Sequence, residues 1–245
     1  MSKKESSKTN INENTTNNTR IIEPQIIPKN DSQNNALKSF NNPNTNYTFL
    51  LGPAGTGKSL LATIFAIKKF IQKEYKKIVI TRPAVTVDED HGFLPGSIQE
   101  KLNPYMLPIL DIFMEFFDVN TIEQYMNEGR IEIAPLAYMR GRNLGPILTN
   151  DQSTDKRGFI VIADEMQNST PEQMKMLLTR LGENGKMIIT GDPEQHDRGL
   201  EHNGLQDFIK IAGNKNSKSV DIIRFSKDES VRSKAVTEIL DIYGS

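Results

Sequence analysis

Gly52-Pro53-Ala54-Gly55-Thr56-Gly57-Lys58-Ser59 has the spacing GxxxxGK[ST] of a loop that holds phosphate. Glycines let such a loop close tightly, so that successive backbone N–H groups point inward, and the helix N-terminus that follows adds partial positive charge. Lys58 would reach the β and γ phosphates of ATP, and the Ser59 hydroxyl would hold Mg2+. Asp164 and Glu165 form an acidic pair; Asp164 would contact Mg2+, usually through water, and Glu165 would polarise the water that attacks the γ phosphate. Acidic pairs also cap strand ends, so this one takes its catalytic reading from the phosphate loop upstream. Gln195, in Gly191-Asp192-Pro193-Glu194-Gln195, has a neutral amide that can donate to a γ phosphate and accept from water. Gly-Asp-Pro is also an ordinary turn sequence. Gln33, 19 residues before Gly52, could satisfy the N6 donor and N7 acceptor of adenine, or be a solvated Gln in a polar segment.

These residues need a frame that brings them to one edge. Tyr47 to Leu51 is a short apolar strand entering Gly52, and Leu60, Leu61, Ile64, Ile67, Ile71 and Tyr75 recur behind the loop at helical spacing. Lys77 to Thr81 is a second strand, stopped by Arg82-Pro83. Residues 97 to 127 read as an insertion of short helices, with Ser97 and Glu100 as a capping box and Asn103 before Pro104 as a fresh N-cap. Arg130 to Leu136 is a candidate strand, and Gly158 to Ala163 is a continuous apolar run of the kind buried in a doubly covered parallel sheet. Asp164-Glu165 would then stand at the carboxyl edge, where open α/β sheets bind ligands. Thr170, Pro171 and Gln173 open a helix ending at Leu181-Gly182. Lys186 to Thr190 and Val220 to Phe225 are further strands. Ser226 with Glu229 is expected to cap a final helix carrying Val231, Ala235, Ile239 and Ile242 on one face. Strands alternating with helices predict an α/β fold, one domain with a parallel sheet and right-handed crossovers.

Of the 245 residues, 30 are Lys or Arg and 31 Asp or Glu, so a net charge of −1 leaves no uniform field to attract nucleic acid. Any polyanion must be gripped locally. Lys68, Lys69, Lys73, Lys76 and Lys77 form a basic cluster that reads either as a solvated helix face or as such a grip. The absence of Cys excludes disulfides, Cys-ligated zinc, iron–sulfur clusters and thiol nucleophiles. His91, His196 and His202, the three histidines, lack metal-site spacing. No apolar run reaches the length needed to cross a bilayer and no signal peptide core is visible, so a cytoplasmic protein without a membrane partner is expected. Residues 1 to 20 read as a disordered Asn-rich tail, residues 21 to 46 as an arm that packs as an extended stretch and a short helix, and residues 47 to 245 as the globular domain.

GPAGTGKS at 52 to 59, TRPAV at 81 to 85, GFLPGSIQEKLNPYMLPI at 92 to 109, YMRGRNL at 138 to 144, ADEMQNSTPEQMKMLLTRLG at 163 to 182 and TGDPEQ at 190 to 195 together resemble the PhoH-like family of P-loop ATPases. The resemblance runs over roughly residues 20 to 243. It implies a single RecA-like P-loop NTPase domain related to the first motor domain of superfamily-1 helicases, with ATP and Mg2+ as cofactors and a connection to RNA unwinding. It also implies that Gln33 is an adenine-reading Gln and Gln195 a γ-phosphate sensor, and that Arg82 lies in a segment that approaches nucleic acid. Arg140, Arg142 and Arg224 match family arginines. The Asn-rich tail and compact length resemble versions carried by bacteriophages, for which the compartment would be the host cytoplasm. Ala163, Met166, Phe225, His196-Asp197-Arg198 and the segment around His202-Asn203-Gly204-Leu205 depart from the family pattern without touching the residues assigned to phosphate, metal or water.

Helicases of this lineage use two RecA-like domains, the second supplying an arginine finger that is worth about 10³- to 10⁵-fold in rate. With one domain here, the finger is expected from a neighbouring subunit of a ring-like homo-oligomer, with Arg224, Arg142 and Arg180 as candidates in that order. The expected activity is ATP hydrolysis coupled to remodelling or unwinding of single-stranded RNA, the alternative being a nucleotide-gated regulatory ATPase that moves no nucleic acid.

Overall fold

The computed structural model describes residues 21–84, 107–146, 155–195, 203–213 and 215–243. Strands β1 (Tyr47–Leu51), β2 (Lys77–Arg82), β3 (Ile131–Pro135), β4 (Phe159–Ala163), β5 (Lys186–Gly191) and β6 (Val220–Arg224) form one sheet in the order β3-β2-β4-β5-β1-β6. Every neighbouring pair is parallel, so all six carboxyl ends lie on the same edge. The α/β domain with a parallel sheet covered by helices that the sequence predicts has this form.

Strand side chains alternate between faces, and both faces are covered. On one, Ile78, Ile80, Ile160 and Ile162 join buried residues of α1 (Asp31–Asn41), α2 (Lys58–Ile71), α3 (107–114) and α4 (Val119–Asn127). On the other, Phe49, Val79, Val161 and Ile189 pack against α5 (Pro171–Leu178) and α6 (Gly204–Ala212). The near-continuous apolar runs in β2 and β4 have this double coverage as their cause. Phe49 also stacks on Phe208 of α6 with ring centroids 4.7 Å apart.

The arm at 21 to 46 runs extended, with Ile22 N–H on Phe116 O at 2.9 Å, and then forms α1, capped by Asn30. Of the expected insertion of short helices, α3 and α4 are present, while Ser97, Glu100, Asn103 and Pro104 lie outside the described residues. So do the tail at 1 to 20 and His91, His196 and His202.

Two helix expectations are corrected. The helix expected to reach Leu181-Gly182 ends at Leu178, because the next backbone groups pair elsewhere: Leu144 N–H donates to Arg180 O at 2.8 Å and Gly182 N–H to Leu144 O at 3.1 Å. Ser226 and Glu229 do form a capping box, but it closes a single 3-10 turn, Lys227–Glu229. The final helix, α7 (Lys234–Tyr243), starts beyond Val231, whose N–H is committed to Gly55 O at 2.9 Å. Helix α6 was not expected at all; its signal is the cap at Asn203, whose Oδ1 accepts from Gln206 N–H at 2.7 Å. Among the described residues no helix is long and apolar enough to cross a membrane.

Candidate active site

The phosphate loop leaves β1 at Gly52, where φ is +136° and a Cβ would lie 2.3 Å from Phe225 O. Only glycine fits there, on both conformational and steric grounds. Helix α2 then begins at Lys58 with Gly57 as its N-cap, no side-chain cap bond and no acidic residue in its first turn. Its leading N–H groups and positive dipole end are thereby left for an anion. Lys58 is buried and folded back on the loop, its Nζ donating to Gly52 O at 2.6 Å, Pro53 O at 2.7 Å and Thr56 Oγ1 at 3.3 Å. Burial pushes the Lys58 ammonium below the usual lysine range, opposed by the charges of Asp192, Glu165 and Asp164. Those carboxylates therefore share one field with the loop lysine.

Asp164 ends β4, two strands away from β1, and is fully buried. Ser59 Oγ donates to its Oδ1 at 2.6 Å across 105 positions of sequence. Thr190 Oγ1, from the end of β5, donates to the same oxygen, and Arg82, from the end of β2, holds Oδ2 through Nε at 2.7 Å and through Nη2. A hydroxyl and a carboxylate in contact on the phosphate edge are the hard oxygen donors that Mg2+ uses beside substrate phosphates, so the residues present fit that ion. The Thr81 hydroxyl, one strand over from Ala163, is buried and has no hydrogen-bond partner among the described residues.

Glu165 has φ +56° and ψ +39°, a left-handed conformation that costs a non-glycine residue about 1–3 kcal/mol. Gln167 Nε2 donates to Glu165 Oε2 at 2.6 Å, while Gln167 Oε1 accepts from Asp192 N–H at 3.3 Å. One buried amide thus ties the acidic pair to the β5 loop.

That loop carries Gln195, which is exposed and lines a hollow of about 460 Å³ together with Gly52, Pro53 and Arg224. Arg224 ends β6, directly opposite Leu51 in register, so it stands beside the phosphate loop of its own chain. Gln33 is buried on the loop's other flank; its Nε2 donates to Thr56 O at 3.1 Å and its Oε1 accepts from Lys29 N–H at 2.9 Å. An amide offers two donors and two lone pairs, so one of each remains for an adenine edge.

Other expected residues lie elsewhere. Arg142 forks onto Glu132, with Nη2 to Oε2 at 2.9 Å, and Arg180 Nε donates to Met176 O at 3.2 Å. Both are structural contacts at a distance from the loop in sequence and topology. Arg140 is exposed beside Arg142. The lysine cluster sits at the C-terminal end of α2, about 20 Å along that helix from Lys58. There Lys69 pairs with Glu74 at 2.8 Å and Lys77 with Glu132 at 2.5 Å. Sequence reasoning missed Thr190 and Gln167 because hydroxyl and amide side chains after apolar strands carry no pattern of their own.

Comparison with known proteins gives concordant relations. The family described as PhoH-like protein matches residues 25–244. A PhoH-like protein of Synechocystis is 42% identical over 197 residues, covering 80% of this chain and 56% of that protein. Protein PhoH of Escherichia coli is 37% identical over 222 residues, covering 89% of this chain and 58% of its own length. The chain therefore spans little more than half the length of these relatives. Among solved structures, the UvsW helicase from bacteriophage T4 aligns over 84% of this chain and 64% of its own with a TM-score of 0.46 and 12% identity.

Proposed function

The chain belongs to the PhoH-like protein family, a P-loop NTPase by its fold and loop, and on that premise we propose that it binds ATP with Mg2+ and hydrolyses it. The observation that carries this reading is the Ser59–Asp164 contact at 2.6 Å, which joins the end of the phosphate loop to the end of β4 on the edge where Lys58 and Glu165 also stand.

In this reading the terminal phosphates lie on the amides of the loop and the first turn of α2. Lys58 exchanges its loop carbonyls for phosphate oxygens. Ser59 and Asp164 hold Mg2+, which when bound supplies positive charge to the phosphate oxygens. Glu165, oriented by Gln167, accepts the proton of a water as its oxygen bonds to the γ phosphorus and the bond to ADP breaks. Gln195 and Arg224 line the same hollow; in this reading Gln195 senses the γ phosphate and Arg224 is a cation supplied in cis. Gln33 reads the adenine.

We also carry the expectation of coupling to single-stranded RNA, and of self-association, as part of this proposal. Helix α7 favours the latter, since it leaves Val236, Ile239, Ile242 and Tyr243 exposed. The regulatory-ATPase alternative is favoured by the near-neutral net charge of −1 and by the engagement of Lys69 and Lys77 with carboxylates. ATP turnover with and without single-stranded RNA separates them. Wild type should turn over ATP faster with RNA; Glu165→Gln should keep binding but lose about 10²- to 10⁴-fold in rate, and Lys58→Ala should lose binding as well. Turnover indifferent to RNA selects the regulatory reading, and a Glu165→Gln protein as active as wild type removes the assigned base.

A further inference from the structure

The chain between β6 and α7 is a strap laid across the nucleotide end of the domain. Backbone hydrogen bonds anchor it: Phe225 N–H donates to Leu51 O at 2.7 Å and Val231 N–H to Gly55 O at 2.9 Å. Glu229 Oε1 accepts from Ser32 N–H at 3.1 Å, and Asn30 Nδ2 donates to Glu229 O at 3.2 Å. The strap therefore touches both the phosphate loop and the cap of α1, the helix that carries Gln33. Its next residue, Arg232, crosses the loop at Gly55. A Cβ on Gly55 would lie 2.2 Å from Arg232 Nε, 2.8 Å from its Cδ and 2.9 Å from its Cγ, so the arginine stem occupies the space that a side chain at 55 would fill. Gly55 also has φ +85°, which turns the loop amides inward.

Arg232 is exposed, and its guanidinium has no carboxylate, carbonyl or ring partner among the described residues. An arginine whose stem lies along Gly55 and whose fork is unspent presents its N–H groups beside the phosphate loop. Lys58 lies beneath the loop, against the carbonyls of Gly52 and Pro53, whereas Arg232 approaches from the strap side over Gly55. Arg224 faces the hollow at Gly52 and Pro53. The loop is thus bracketed by three cations of the same chain.

We propose that Arg232 is a nucleotide-binding residue, its guanidinium contacting the polyphosphate of the bound nucleoside triphosphate from the strap side of the phosphate loop. This deepens the ATP reading above and rests on it. Phosphate suits the fork because two parallel N–H groups match two oxygens, and such charged hydrogen bonds are stronger than neutral ones. A bound nucleotide then joins the strap, the loop and the α1 cap, and the start of α7 is held with them.

The test uses the full chain and displacement of a fluorescent ATP analogue by ATP and by ADP, in wild type, Lys58→Ala, Arg232→Met and Arg232→Lys. Arg232→Met keeps an apolar stem over Gly55 and removes the charge. It should bind ATP and ADP about 10- to 100-fold more weakly, the range expected for one charge-assisted phosphate contact. Arg232→Lys, which keeps the charge but not the fork, should recover only part of that loss, and both variants should melt with wild type when no nucleotide is present. Arg232→Met binding as tightly as wild type overturns the proposal. So does an Arg232→Lys protein as tight as wild type, which would mean that charge alone and not the fork is at work. Should wild type itself fail to bind the analogue, the ATP reading fails, a result distinct from either.

Discussion

At the scale of single residues the site is a set of buried polar groups that satisfy one another, and Asp164 is its centre. Its carboxylate is removed from water and shared among Ser59, Thr190 and Arg82. Deleting one partner of a buried charge pair leaves the other uncompensated, which is costlier than replacing both. Arg82→Ala should therefore lower stability by about 3–5 kcal/mol in urea denaturation. The double change Arg82→Met with Asp164→Asn should recover much of that loss. Equal stability of Arg82→Ala and wild type would show that the pair is not needed to hold the ends of β2 and β4 together. Arg82, at the end of β2, is thus the counter-charge of the buried carboxylate at the end of β4.

At the scale of elements, pairing decides what local pattern leaves open. On the sheet's outer strand, Glu132 of β3 meets Arg142 and, from β2, Lys77 Nζ at 2.5 Å. Hydrogen bonds from Arg142 hold the Glu132 carboxyl at about 2, against the opposing effect of burial and with help from Lys77. A carboxyl lowered from 4.5 to about 2 stabilises the fold above pH 4.5, and that contribution is lost as pH falls toward 2. Allowing for partial exposure, it amounts to about 2 kcal/mol. Wild type should exceed Glu132→Gln in stability at pH 7, and the gap should close by pH 2 to 3; a gap independent of pH would assign the effect to packing. The same logic explains the helix ends. Ser226 and Glu229 have the spacing of a helix start, and they do cap a turn, but Val231 is drawn to Gly55 and delays α7 to Lys234. No sequence window contains both Val231 and Gly55.

At the scale of the whole molecule, the question is whether one domain completes its own site. Arg142 and Arg180 are engaged with their own chain, and Arg224 stands next to its own phosphate loop. Mixing Arg224→Ala with Glu165→Gln protein distinguishes the arrangements. If Arg224 acted across a head-to-tail interface, random mixed rings would regain roughly a quarter of wild-type turnover, because that fraction of interfaces carries both intact residues. With Arg224 in cis, as proposed, no site regains both and turnover should stay at the level of the separate variants. Native mass measurement with ATP should still find assemblies of several protomers, since the exposed face of α7 needs cover; a strict monomer would remove self-association from the proposal.

The phosphate loop, the acidic pair and all six strands to within a residue of their ends, with β4 read as a doubly buried strand, were legible from residue order alone. Each is a local signal: a glycine spacing that only a tight phosphate-binding turn requires, or an apolar run whose length and composition suit a strand buried on both faces. The sheet order, by contrast, came only from the tertiary structure, because it depends on which strands pair, and that order sets Ser59, Thr190 and Arg82 around Asp164. Arg232 shows the difference most plainly. In sequence it is an exposed arginine 177 positions from Gly55, and it gains a meaning only where the chain folds back and lays its stem across the loop.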